Sequence, residues 1–251
     1  MPFAPLTDPW FYAAAAPAVL LLGISKSGFG SGFGSLAVPM MALSISVPMA
    51  AAILMPVLAL MDLLGIWAYR RDMDKALLRR LIPLALVGTV IGTLSFRWLD
   101  ARSVAGLVGA LTLVFLLQRR LFPPKKEGQP PPTWVGSLLT VTSGFTSFVA
   151  HAGGPPINAY MLPMRLSPVR FTATMAYLFF AINLSKWLPY AYLGLLDGRN
   201  FATSLVLLPL APIGVWLGVR MARRINLAVF YRFIEMGMLL TGLKLLWDAW
   251  P

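Results

Sequence analysis

Cysteine is absent from the 251 residues, histidine occurs once, and acidic side chains number nine. Without thiols there is no disulfide framework, no thiolate nucleophile and no iron–sulfur ligation, and the redox compartment is left unmarked. One histidine and so few carboxylates leave no zinc cluster. They also leave no nucleophile–base pair of the kind an intramembrane enzyme requires. The sequence therefore predicts no catalytic residue, no metal and no cofactor. Charge is scarce too: charged residues make up 12% of the chain against 58% hydrophobic, with a mean hydropathy of +0.75. A soluble domain of this size needs far more charge to cover its surface.

Apolar runs of roughly 20 residues recur from end to end, the length that crosses a bilayer. The formal net charge is +12, which in a soluble protein would point to nucleic acid. Here Lys and Arg fall between apolar runs and not along one face, the pattern of a membrane protein with a positive-inside bias. The expected partner is the lipid bilayer, not nucleic acid. The opening MPFAPLTD has no basic region of a signal peptide, so the first apolar run is expected to remain in the mature chain.

Hydropathy and Gly/Pro punctuation predict helices at about 10–25, 47–70, 79–97, 101–118, 134–150, 168–195, 200–220 and 226–248, with short segments at about 33–45 and 152–163. The charged, proline-rich RRLFPPKKEGQPPPT at 119–133 reads as a cytoplasmic linker between two transmembrane repeats, 1–118 and 134–251. The halves resemble each other. PLALVGTVIG at 83–92 returns as PLAPIGVWLG at 209–218, and Gly34, Pro48 and Trp67 match Gly154, Pro168 and Trp187 at an offset of 120. Whether the halves are parallel or inverted depends on the two short segments. If both cross, there are ten crossings, and 15 Lys/Arg fall in cytoplasmic turns against three outside (Arg97, Arg102, Arg199). That asymmetry favours an all-α polytopic membrane protein built from two inverted repeats of about five segments each. The expected location is the cell membrane, as a multi-pass protein of a bacterial inner membrane. Oligomeric state is left open, a homodimer included.

Two interruptions carry the chemistry. One is KSGFGSGFGS at 26–35; the other is SGFTSFVAHAGGPPIN at 143–158. Hydrocarbon cannot satisfy free backbone groups, so helices break at membrane depth only against protein or trapped water. Paired breaks in corresponding halves are where transporters place their substrates. Gly28, Gly30, Gly32 and Gly34 let a ligand approach backbone N–H groups, beside a helix N-terminus that favours an anion. Close helix packing is the other reading, since Gly30/Gly34 and Gly88/Gly92 form GxxxG pairs. For Gly88, Gly92, Gly214 and Gly218 packing is the favoured reading.

The candidate substrate-binding set is Lys26, Ser27, Gly28, Gly30, Ser31, Gly32, Gly34, His151, Gly153, Gly154, Asn158, Asn183 and Lys186. His151 aligns with Ser31 and reads either as a packing residue or as a substrate or proton group. Asn158 offers donors and an acceptor, for substrate or for structure. Asn183 and Lys186 share a helix face with Tyr190, and a lysine within the membrane normally meets a partner or a watery path. A lysine near a helix end can instead snorkel. Lys26 faces the same choice between site and surface. Asp62 is within one residue of Asn183 in the repeat register; it either neutralises Lys26 or Lys186, or carries a coupled proton. Glu235 is expected to pair with Arg232 or Lys244. Trp10, Trp98, Trp134, Trp247 and Trp250 read as interfacial anchors.

HAGGPP at 151–156, YMLP at 160–163 and NLSK at 183–186 resemble the second half of the TauE/SafE, or sulfite exporter, family of membrane permeases. GFGSGFGS at 28–35 with Pro39 is similar to that family's first glycine motif, with Ser31, Phe33 and Ser35 interleaved in what is usually a compact cluster. The resemblance covers nearly the whole chain in order and spacing. It implies a secondary transporter, acting as an exporter, of a small sulfur-containing anion such as sulfite, sulfoacetate or another organosulfonate. Segments 28–35 and 151–158 would be site elements, with Asn183 and Lys186 close by. An anion channel or an uptake permease for a small anion is the alternative.

Overall fold

Five helix starts along this chain are written in Asx residues. In the computed structural model, which describes residues 4–30, 34–41, 43–45, 47–95, 98, 100–121, 131–150, 152–192, 194 and 197–249, α1 spans Pro9–Gly28. Asp8 caps it by accepting the Trp10 N–H at 3.0 Å. After a single 3₁₀ turn at Gly34–Leu36 come α2 (Ala37–Met41) and α3 (Val47–Ala68). Asp74 caps α4 (Lys75–Ser95) through the Leu77 N–H, and Asp100 caps α5 (Ala101–Leu121). The Ser103 hydroxyl, with the N–H groups of Arg102 and Ser103, holds the Asp100 carboxyl below the usual carboxylate range. The second half has α6 (Thr133–Ala150), α7 (Gly154–Met161), α8 (Pro168–Tyr192), α9 (Gly198–Leu207), α10 (Leu210–Arg224) and α11 (Leu227–Ala249). Asp197 caps α9 and Asn226 caps α11. Such caps satisfy N–H groups that a helix cannot satisfy itself.

Three boundaries differ from the sequence reading. The α1 helix does not stop at residue 25 but carries Lys26, Ser27 and Gly28 as helical residues. The predicted helix over 200–220 is two helices, α9 and α10, bent by 50° at Leu208–Pro209, because proline cannot continue the hydrogen-bond ladder. And α5 runs on to Leu121, into the expected linker; residues 122–130 of that linker lie outside the described residues.

All described secondary structure is helical. Among the described residues, α1, α4 and Met49–Ala68 of α3 are long and apolar enough to cross a membrane, and α9 with α10 passes as one bent span. In length, α5, α8 and α11 match them at 21, 25 and 23 residues. The outward surface is apolar. Val87, Val90, Ile91 and Leu94 form an exposed stripe on α4, and Leu239, Leu240 and Leu243 do so on α11. Apolar patches of that extent mark a lipid-facing surface.

Helices of the first half pack on helices of the second: α1 on α10, α4 on α6, α3 on α8 and α5 on α11. Glycine makes the closest approaches. A Cβ on Gly88 would stand 2.0 Å from the Val141 carbonyl oxygen, and one on Gly144 would stand 1.9 Å from that of Ala85. Gly214 and Gly218 press on Leu20–Gly23 and Ile24–Gly28 in the same way. The packing reading of these glycines is what the structure contains, with backbones drawn together as small-residue motifs allow. One apolar cluster gathers α1, α2, α3, α9 and α10 around Phe11, Leu54 and Met61. A second gathers α4, α7, α8 and α11 around Tyr160, Phe171 and Phe230.

Candidate functional site

A helix leaves its last carbonyls without intrahelical donors, and the negative end of its dipole there favours a cation. In both halves a buried lysine stands at the end of the helix preceding the glycine break. Lys26 occupies the last turn of α1 and is buried. Lys186, from α8, is 1% exposed and reaches the last turn of α6; its Nζ donates to the Ser147 carbonyl at 2.8 Å and to the Ser147 hydroxyl at 2.7 Å. It does not snorkel. A third, longer contact joins it to Asn183 Oδ1 at 3.4 Å.

Asp62 on α3 links the two cations. Its Oδ1 lies 2.5 Å from Lys26 Nζ, and its Oδ2 accepts a hydrogen bond from Asn183 Nδ2 at 2.9 Å. Of the two neutralising roles open to Asp62, the structure selects the one toward Lys26. Lys26 thus has a counter-ion in the empty protein. For Lys186 the neighbours are neutral oxygens of Ser147 and Asn183. The chain Lys26–Asp62–Asn183–Lys186–Ser147 is buried throughout and holds two amines to one carboxylate.

The break after α6 is held by hydroxyls. The Thr146 hydroxyl donates to the Ala152 carbonyl at 3.1 Å, the Ala152 N–H donates to the Thr146 carbonyl, and the Ser143 hydroxyl donates to the Gly153 carbonyl at 2.7 Å. The hydroxyl-rich run of that stretch thus receives the backbone that the break exposes. At its start α7 has Gly153 as cap with no side-chain hydrogen bond, and Pro155 and Pro156 in its first turn. A Cβ on Gly153 would meet Ser147 Cβ at 2.7 Å, so only glycine fits there.

Between these parts lies a cavity of about 60 Å³. Its polar lining is Lys26, Ser147, Asn183 and Lys186; Gly34, Gly153 and Gly154 bring backbone to it from both breaks; Leu22, Val38, Leu54, Leu58 and Phe179 supply the apolar wall. At about 10–15 Å³ for one water-sized volume, it takes a small oxyanion or a few waters. One turn beyond Gly154, Asn158 is fully buried, and neither its Nδ2 nor its Oδ1 has a hydrogen-bond partner among the described residues. A buried amide left so costs about 1–3 kcal/mol per group.

Of the candidate residues, Lys26, Gly34, Gly153, Gly154, Asn183 and Lys186 meet in this cavity. Ser27 gives its carbonyl to the Tyr69 hydroxyl at 2.5 Å, and Gly28 packs on Gly218. Gly30, with φ +58°, sits beneath the Phe171 ring, where a Cβ would come within 2.6 Å. These three do not line the cavity. Ser31, Gly32 and His151 lie outside the described residues. Sequence reasoning missed Ser147 as the partner of Lys186; its spacing from the break, in the last turn before Ala150, was the available signal. Lys244 pairs with Asp248.

No match is found among curated proteins or solved structures. The model of the family described as sulfite exporter TauE/SafE matches residues 15–245. With that match over most of its length, several apolar helices and a lipid-facing apolar surface, the chain belongs to the TauE/SafE family and is a multi-pass membrane transporter.

Proposed function

We propose that the chain is a secondary carrier that exports a small sulfur-containing anion, with sulfite favoured over larger organosulfonates such as sulfoacetate, by alternating access across a bacterial inner membrane. The observation that carries this reading is the pair of buried ammonium groups, one from each half, on a cavity that both glycine breaks reach. A cavity of about 60 Å³ suits a four-atom oxyanion better than a longer sulfonate. Both lysines are shut away from solvent, which suits an occluded carrier better than an open channel.

The inverted-repeat reading has support of its own. Exchanging the halves (α1 for α6, α3 for α8, α4 for α9–α10, α5 for α11) turns the α1–α10 contact into the α6–α4 contact and leaves α3–α8 and α5–α11 unchanged. Asp62 and Asn183, equivalent to within a residue in the repeat, bond directly across that relation. The Lys/Arg bias of the turns favours inversion over a parallel arrangement. We assign charge coupling to Asp62, which lies between the cations.

The test is flux in proteoliposomes with a panel of sulfite, sulfoacetate, thiosulfate and sulfate, with a pH gradient switched on and off. Saturable sulfite flux that exceeds sulfate flux is expected. Flux at channel rates, or none for any sulfur anion, overturns the reading.

A further inference from the structure

A second basic site lies where α3 leaves its apolar span. Ala68 is the last residue of that span, and just beyond it Arg70, Arg71 and Asp72 face Arg223, in the last turn of α10, around a cavity of about 300 Å³. Trp67 and Ala68 complete its lining. Three guanidiniums and one carboxylate leave two positive charges in excess. Arg223 Nη2 is committed to the protein: it donates to the Ala68 carbonyl at 3.0 Å and lies 3.3 Å from Asp72 Oδ2, with the guanidinium 5.7 Å from the centre of the Tyr69 ring. Arg70 lies over the Trp67 indole at 5.5 Å, a contact that leaves its in-plane N–H donors free. No hydrogen bond or ion pair of Arg71 occurs among the described residues, and its side chain is exposed.

The surface below this cavity is apolar and outward-facing. Leu63 and Trp67, one turn apart on α3, are exposed, as are Ile213 and Trp216 on the neighbouring α10, where Arg220 lies over Trp216 at 5.4 Å. Exposed indoles belong at the boundary between hydrocarbon and headgroups. An acyl chain lying along Leu63 and Ile213 would bring its headgroup to the level of the arginines. Guanidinium forks match a phosphate geometrically, with two parallel N–H···O bonds. Basic pockets between helices at the membrane boundary hold anionic headgroups for this reason.

We propose that the cavity framed by Arg70, Arg71 and Arg223 beside Trp67 is a binding site for the phosphodiester headgroup of an anionic phospholipid. A free phosphate shares the headgroup's chemistry but has no use for the apolar approach along Leu63, Trp67, Ile213 and Trp216. The site is distinct from the buried cavity: it shares no lining residue with it.

The experiment is native mass spectrometry of the full chain released from detergent containing equal amounts of phosphatidylglycerol and phosphatidylcholine. One phosphatidylglycerol is expected to be retained per chain, in preference to phosphatidylcholine. The double variant Arg70→Gln/Arg71→Gln changes two exposed residues, so it should elute as folded protein. It should retain phosphatidylglycerol about tenfold less, and Lys244→Gln should retain it as the parent does. Equal retention of the two lipids, or no loss in the double variant, overturns the proposal. Displacement of the lipid by equimolar inorganic phosphate would reassign the site to a free phosphate, and displacement by equimolar sulfite would make it part of the substrate path; either refutes a lipid site.

Discussion

Replacing Lys186 by methionine separates binding from stability, because the two depend on different parts of its surroundings. In the empty protein the ammonium gains two short hydrogen bonds from Ser147, each worth about 1.5–3 kcal/mol when charge-assisted. Against this stands a desolvation cost of several kcal/mol for a fully buried cation. Methionine keeps the volume and removes the cost with the bonds. It leaves one neutral carbonyl and a hydroxyl unsatisfied but strands no charge, so the variant should lose no more than about 2 kcal/mol of stability. Binding is different. Removing one partner of a buried charged contact costs about 2–5 kcal/mol, a fall of about 30- to 4,000-fold in affinity. If sulfite is the substrate, at a hundred times its Kd it should stabilise the parent by about 2.7 kcal/mol, or about 5–11 °C in melting temperature. After a hundredfold loss of affinity the same concentration yields about 0.4 kcal/mol, or about 1–2 °C. Thermal melts in detergent with and without sulfite, beside proteoliposome flux, read both quantities. Parental flux and a parental sulfite-dependent shift in Lys186→Met would mean that Lys186 only caps α6, and the site argument would be refuted. Lys244→Ala, which removes a partly exposed pair with Asp248, should change neither.

Asp62→Asn strands the buried Lys26 without its carboxylate and should cost about 3–5 kcal/mol in the empty protein. Sulfite should then raise the melting temperature by more than it does in the parent, and an unchanged shift would place Lys26 away from the anion. Asn158→Leu removes two unsatisfied buried groups and should stabilise the empty protein by about 2–6 kcal/mol while weakening the sulfite-dependent shift; a loss of stability would reveal that the amide is already satisfied. Gly88→Ala must force α4 from α6, since its methyl would stand 2.0 Å from a carbonyl oxygen, and should cost upwards of about 3 kcal/mol. Gly65→Ala meets ordinary contacts at 3.7 Å and beyond and should be neutral or gain up to about 1 kcal/mol from helix propensity. Equal melting temperatures for these two glycine variants would contradict the packing described for α4 and α6.

Which parts could be read in advance follows from the range of the interactions involved. The apolar runs and the Gly/Pro punctuation act within a few residues, so the helices of 47–68, 133–150 and 227–249 fall within two residues of expectation. GxxxG spacing at Gly88/Gly92 and Gly214/Gly218 also announced tight contacts, although not which helices would make them. The end of α1 was different. A run of alternating glycines reads locally as a break, yet Gly28 stays helical and packs on Gly218, 190 residues away. Gly30 turns where Phe171 covers it, another contact between halves. Ser147 was visible only as one hydroxyl in a run. Its role comes from standing in the last turn of α6, with a carbonyl free of intrahelical donors, opposite a lysine on a different helix.

That last geometry gives the electrostatic logic of the site. The negative end of α6 is met by the Lys186 ammonium and Lys26 stands in the last turn of α1, so dipole and charge offset one another before any substrate arrives. Asp62 takes up one of the two charges through its contact with Lys26. At Lys186 only neutral oxygens remain, and these solvate a cation without cancelling it. A monovalent anion entering between Lys26 and Lys186 would therefore bring the three ionisable groups to neutrality without moving Asp62. A divalent anion would leave one negative charge in excess, and protonating Asp62 would restore the balance. Sulfite titrates between these two charges near neutral pH, so a transporter of this design would carry a proton with the divalent form, on the substrate or on Asp62. Flux that falls as pH rises in the parent but is independent of pH in Asp62→Asn would assign that proton to Asp62; the same fall in both would leave it on the anion.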